Sequence, residues 1–373
     1  MRIIIFMTIF LIVFLLLNIY ISKRLIAKLH FSKKVKLYLN IFLAVNFIGI
    51  LGYLFARYNP DLPNTLFFLF SIPIGVVFLL FCTAIIYDLS RVIVNKIPLQ
   101  KTRRAFFKKT LDIGALALAT IVSARSFYEA KFVKIEKVQI KIKNLKKPYK
   151  IVQLSDIHIG GLINEKFIED IVQRVNKLKA DLVVITGDLI DIEIEQGRSS
   201  LEKLKELEST FGTFFVVGNH EYFHGVQTII DEVKALGIRV LENENVLIGD
   251  KEFGFNLAGV YDIMGYRMQM YQPDMKKSLQ YKQKSLPTLL LAHQPRFIDE
   301  VSEEVDLVLS GHTHGGQLYP FRILVRLQQY YVAGLYKHNQ STQIYVNRGT
   351  GFWGPPMRLG SSPEISDITI IPS

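Results

Sequence analysis

The chain has 373 residues, half of them hydrophobic, and a formal charge of +12. Residues 1–149 carry 23 Lys and Arg against 5 Asp and Glu, whereas 150–373 carry 22 against 28, so a net +18 precedes a net −6. That apolar content excludes intrinsic disorder, the asymmetry excludes one uniformly soluble unit, and the length accommodates two domains at about 150 residues each.

Three uncharged stretches open the chain, at 3–22, 37–56 and 62–87. Each reaches the roughly 20 residues that cross a bilayer as helix, and a kink accommodates Pro63 and Pro73 in the third. Residues 1–90 are therefore expected to form three transmembrane helices. The loops between and after them hold six, one and seven Lys and Arg. Because basic residues stay on the cytoplasmic side, this places the N-terminus outside and the first and third loops inside.

Residues 91–130 are expected to be a basic loop with a short apolar segment, 113–124, about 18 Å long as helix and so short of a bilayer core. Ahead of it, Thr102-Arg103-Arg104-Ala105-Phe106-Phe107-Lys108 resembles a twin-arginine export signal. Nine basic residues between Arg125 and Lys150 pull the other way, toward the cytoplasm. The balance falls to a multi-pass protein of the inner (cell) membrane with its larger domain on the extracytoplasmic face, the cytoplasmic face remaining open. The one cysteine, Cys82, lies in the third apolar stretch, so no intrachain disulfide supports the fold.

From 131 to 373 short β-rich runs alternate with amphipathic segments, the pattern of an α/β domain. Strands are expected at 150–154, 181–186, 213–217, 288–292, 306–309 and 343–346, with Val138, Ile140 and Ile142 alternating on one more. Asn164 is a candidate N-cap for a helix through Leu178, and further helices are expected at 226–236, before Gly237, and at 295–305.

Five of these strands run into metal-binding residue types: Asp156 and His158, then Asp188 and Asp191, then Asn219, His220 and Glu221, then His293, then His312 and His314. Carboxylate and imidazole together suit divalent transition metals, and open α/β sheets bind ligands beyond the carboxyl ends of their strands. Each fragment alone is unremarkable, but five of the eight histidines occupy these positions.

The ordered set Asp-x-His, Gly-Asp-x-x-Asp, Gly-Asn-His-Glu, a single His and Gly-His-x-His resembles the calcineurin-like metallophosphoesterase superfamily. The resemblance implies a four-layer β-sandwich flanked by helices, with two divalent cations (Mn, Fe or Zn) at one edge. Asp156, His158 and His314 would hold the first, Asn219, His293 and His312 the second, and Asp188 both. Such a pair clamps phosphoryl oxygens and lowers the pKa of a shared water to near 7, giving a hydroxide for attack on a phosphoester or pyrophosphate. His220 would protonate the leaving oxygen, oriented by Asp191.

Ile192 stands where the superfamily's protein phosphatases have Arg, which disfavours a phosphoprotein substrate. The segments around Gly315-Gly316-Gln317, Asn347-Arg348-Gly349, Pro355-Pro356-Met357-Arg358 and Pro363-Glu364 look like the bacterial membrane-associated branch, similar to transmembrane proteins with a metallophosphoesterase domain. A lipid-linked or envelope phosphate ester is the expected substrate, with a UDP-2,3-diacylglucosamine pyrophosphatase on the cytoplasmic face as the alternative. Arg348 and Arg358 are candidates for substrate phosphate, a structural role being equally open. The acidic catalytic half offers no basic stripe for nucleic acid. A non-catalytic interaction module is the alternative outside the enzymes.

Overall fold

The computed structural model describes residues 2–57, 62–98 and 100–373. It divides into two compact units, Met1–Glu129 with Gly354–Leu359, and Ala130–Trp353 with Gly360–Ser373.

In the first unit, α1 (Arg2–Tyr20) runs on through a π turn and a 3-10 turn to Lys28, followed by α2 (Lys33–Arg57) and α3 (Asn64–Lys96). Among the described residues these are the helices long and apolar enough to cross a membrane, the first as the span Ile4–Lys28. Helix α2 lies close on α3 because its contact face is small: a Cβ on Gly49 would stand 2.6 Å from Pro73 Cγ, and one on Gly52 would stand 2.7 Å from the Phe70 ring. The expected basic loop at 91–130 is instead mostly helix. The last turns of α3 take its beginning, and α4 (Lys101–Lys131) spans both the paired arginines and the short apolar segment. The run is rich in Ala, Leu, Lys and Arg and contains no proline, so propensity carries the helix through. Asp112 of α4 is buried within this unit, where the Tyr87 hydroxyl donates to it at 2.6 Å and the His30 backbone N–H at 2.6 Å.

The second unit contains two six-stranded sheets. In chain order its elements are β1 (Lys134–Ile142), β2 (Tyr149–Leu154), α5 (Glu165–Asn176), β3 (Leu182–Thr186), α6 (Ile194–Glu202), β4 (Thr213–Val216), α7 (Val226–Ala235), β5 (Arg239–Val240), β6 (Glu244–Ile248) and β7 (Phe255–Gly259). Then come α8 (Met264–Met268), α9 (Met275–Ser278), β8 (Thr288–Leu291), β9 (Leu307–Ser310), α10 (Arg322–Gln329), β10 (Gly334–Lys337), β11 (Gln343–Val346) and β12 (Glu364–Pro372). The strand orders are β1-β12-β2-β3-β4-β5 and β10-β11-β9-β8-β7-β6. Strands β2, β3 and β4 are parallel to one another, as are β7, β8, β9 and β11.

Alternation along buried strands sends successive side chains to opposite layers. Ile151, Leu182, Val184, Leu289 and Leu291 fill the space between the sheets. Val152, Val183 and Ile185 meet Ile168, Ile171 and Val172 of α5 and Ile229 and Ile230 of α7 on one outer face. Leu290 and Val308 meet Phe297 and Ile298 on the other. The helix–sheet–sheet–helix layering is the expected sandwich. Asn164 caps α5 by accepting from the Phe167 N–H, as its position implies. The helix expected over 295–305 is only a 3-10 segment, Pro295–Glu300. Ser302 stops it, its hydroxyl accepting from the Glu304 N–H and its carbonyl from the Val305 N–H in a local turn.

Candidate metal centre

The five ligand-bearing segments leave the carboxyl ends of β2, β3 and β4 in one sheet and β8 and β9 in the other. Gln153 joins the two sheets beneath them: its amide donates to Thr186 Oγ1 at 2.9 Å and to the Ser310 carbonyl at 3.0 Å. Above it, the His312 N–H donates to Asp156 Oδ2 at 2.8 Å, and the Gly311 N–H donates to the His293 carbonyl at 2.9 Å.

The expected ligands gather in two groups, each with its donor atoms within 4.8 Å of one another: Asp156, His158 and His314, and Asp188, His293 and His312. In the first, His158 Nε2 lies 2.9 Å from His314 Nε2, and Asp156 Oδ1 lies 3.5 Å from the latter. In the second, His293 Nε2 lies 3.3 Å from Asp188 Oδ1 and 3.1 Å from Asn219 Oδ1. Asp188 reaches both groups, its other oxygen standing 3.9 Å from His158 Nε2.

Backbone strain marks the same positions. Asp156, His158, Asp188, His312 and His314 all have left-handed φ, between 49° and 66°. Side-chain-bearing residues avoid this region, and holding one there costs about 1–3 kcal/mol unless the surroundings enforce it. Gly187, at φ 83°, permits the tight turn before Asp188, since a Cβ there would stand 2.6 Å from His293 Nδ1.

The donors are buried, His312 only in part, and their charge states follow from one another. Burial pushes the Asp188 pKa up, but His293, His220 and His158 outweigh it and hold Asp188 well below the carboxylate range. Burial lowers His293, but Asp188 above all raises it well above an ordinary histidine. His312 is pushed down to about 3 by burial and by the charge on His293, which keeps the ring neutral with one nitrogen lone pair to offer. Asp156 is raised by burial, and its Oδ1 accepts no hydrogen bond. A buried carboxylate oxygen without a donor, facing two imidazole nitrogens, fits a cation.

The orienting groups fit too. His293 Nδ1 is 2.7 Å from the Thr186 carbonyl, which fixes the proton there and aims Nε2 at Asn219 and Asp188. Asp191 Oδ1 lies 3.0 Å from His158 Nδ1 and 2.5 Å from His220 Nδ1. Asp191 therefore holds two rings, that of an expected ligand and that of the expected acid. The His220 ring is flanked edge-on by Phe223 and Trp353, each 6.0 Å away between centroids.

The roles of two groups escaped the sequence reading. Glu221 is buried beneath the site, and its carboxylate accepts from the N–H groups of Gly218 (2.5 Å), Leu189 (2.7 Å) and Asp188 (3.1 Å). It thereby fixes two ligand loops, and its place directly after Asn219-His220 was the available signal. Burial and Asp188 raise its pKa to about 7. Ser155 is the other, its hydroxyl bonding Asp156 Oδ2 at 2.6 Å. Glu221→Gln puts an amide where an acceptor faces three N–H groups, a loss of about 1–3 kcal/mol per unsatisfied donor. A clearly lowered melting temperature with weakened cation binding is expected by calorimetry; wild-type values for both would remove Glu221 from this role.

Both arginines have protein partners. Arg348 donates through Nη2 to Glu136 at 2.6 Å and through Nε to Glu364, tying β1 to β12. Arg358 is buried in the segment that belongs to the first unit, where its N–H donates to the Ser126 carbonyl at 2.9 Å. Ile192 packs against the helix-side core and offers no charge.

The model of the calcineurin-like phosphoesterase family matches residues 149–316. An uncharacterized metallophosphoesterase of Helicobacter pylori is 40% identical over 367 residues, 97% of this chain and 97% of its own. A transmembrane protein with metallophosphoesterase domain from Bos taurus is 34% identical over 285 residues, 73% of this chain and 64% of its own. Among solved structures, a dimetal phosphatase from Danio rerio is similar with a TM-score of 0.40 at 11% identity, over 61% of this chain and 100% of that one. With both the sequence blocks and a near-full-length relative in agreement, the chain belongs to the calcineurin-like phosphoesterases, metal-dependent hydrolases of phosphoric esters.

Proposed function

We propose that this protein is a membrane-anchored phosphoesterase that uses two divalent cations on a lipid-linked or envelope phosphate ester. The observation that carries the reading is the convergence of the donor atoms from five strand ends into two groups that share Asp188. Asp156, His158 and His314 would hold one cation, Asn219, His293 and His312 the other, and Asp188 both. When bound, such ions supply Lewis acidity toward phosphoryl oxygens and acidify water. His220 gives the leaving oxygen a proton from Nε2 while Asp191 holds its Nδ1. The lipid-linked substrate is supported by the three membrane-length helices, which keep the site at high effective concentration near headgroups.

Exhaustive chelation of the purified full-length protein should abolish hydrolysis of an aryl phosphodiester, and Mn, Fe or Zn should restore it in proportion to the cation bound. Undiminished turnover after complete chelation would defeat the reading. For sidedness, the paired arginines of α4 favour the outer face of the cell membrane. An alkaline phosphatase reporter fused after Ala130 should then be active, and an inactive one would assign the site to the cytoplasm.

A further inference from the structure

Helix α10 is built inside out. Ile323, Leu324 and Leu327 fall within about 100° of arc on one face, and they stay 58%, 58% and 75% exposed. The opposite face buries a glutamine: Gln329 accepts from the Arg296 N–H at 3.2 Å and donates to Gln294 at 3.0 Å. Tyr319 and Tyr330, 55% and 45% exposed, flank the apolar face on either side. A helix with this polarity has its apolar stripe waiting for an apolar phase.

Charge narrows the partner. No Asp or Glu occurs between Leu307 and Pro363, while α10 itself contributes Arg322 and Arg326. Aliphatic residues on one face, arginines beside them and tyrosines at the ends are the make-up of a helix lying in the headgroup layer of an anionic bilayer. A bilayer is at hand, because the same chain carries three membrane-length helices.

We infer that α10 is an interfacial helix that rests on the lipid surface. It is also bound rigidly to the metal centre. Gly316 lies two residues beyond His314, and a Cβ there would collide with Arg322 at the start of α10. The Gln317 side chain donates to the Trp353 carbonyl at 2.7 Å, and the Trp353 ring flanks His220. Resting α10 on the headgroups therefore fixes the height of the site above them. The inference rests on the membrane tether and holds whatever ester the site cleaves.

The test is spin labelling of the full-length protein in nanodiscs of mixed phosphatidylcholine and phosphatidylglycerol, in a Cys82→Ala background. Labels at Ile323→Cys, Leu324→Cys and Leu327→Cys should collide severalfold more often with oxygen than with a polar paramagnetic reagent. A label at Lys166→Cys, exposed on α5 at the opposite outer face of the sandwich, should show the smaller ratio of a solvated site. Equal access of the polar reagent at all four positions overturns the inference, as does shielding from both reagents, which would mean that a second copy or another protein covers the face. Manganese-dependent hydrolysis of an aryl phosphodiester identifies the folded variants, and three independent positions keep the result decisive if one fails.

Discussion

Asp188→Asn is expected to reduce kcat/KM for an aryl phosphodiester by at least about 10³, a loss of roughly 4 kcal/mol of transition-state stabilisation. Among the described residues Asp188 is the carboxylate within reach of both ligand groups, with one oxygen 3.3 Å from His293 Nε2 and the other 3.9 Å from His158 Nε2. The substitution keeps size and shape but replaces one oxygen with an amide nitrogen, which cannot coordinate a second cation. It also removes the charge that three histidines hold in the ionised form. The fold should survive, because Asn tolerates the left-handed backbone that Asp188 adopts. Metal content by mass spectrometry should fall below the wild-type stoichiometry while the circular dichroism spectrum stays unchanged. Matching rates in the two proteins would show that Asp188 is not shared between cations.

The second large effect falls on turnover alone. His220→Ala should lower kcat by about 10² to 10⁴ while the cations stay bound. The backbone N–H of residue 220, which donates to Asp188 Oδ1 at 2.9 Å, is untouched by the change. The loss should be greatest for alkyl leaving groups, which need a proton, and should nearly vanish for a nitrophenolate, which leaves without one. A uniform loss across leaving groups, or departure of a cation, would assign His220 to holding the site together instead. Asp191→Asn should be the more damaging neighbour, since Asp191 holds both His158 and His220.

The strand ends were legible because each combines two local signals, a short apolar run and a glycine or polar turn, and because their residue types share one chemistry. Asp156 and His158, two residues apart, share one group, whereas His312 and His314, at the same spacing, divide between the two. What stayed hidden was non-local or inverted. Strand β1 pairs in parallel with β12 from the far end of the chain, a register no local pattern encodes. Glu221 acts through backbone N–H groups that become its partners only once two loops meet. The 3-10 segment at Pro295–Glu300 stops at Ser302, whose local hydrogen bonds outcompete a helical pattern that looks continuous in sequence. Helix α10 was missed because its apolar residues point outward, against the expectation that they mark the core. Arg348 stayed open between substrate phosphate and a structural role because the glutamates that hold it come from β1 and β12, which no local pattern joins to it.

Each half of the centre draws on both sheets: Asp156 and His158 meet His314, and Asp188 meets His293 and His312. His158 and His314 are 156 residues apart, and an unfolded chain pays a closure entropy that makes so distant an encounter rare. The nascent polypeptide therefore lacks the assembled cage until the docked sandwich supplies it. Cation choice is then made late, by the finished protein, from whatever metals are present in the compartment where folding ends.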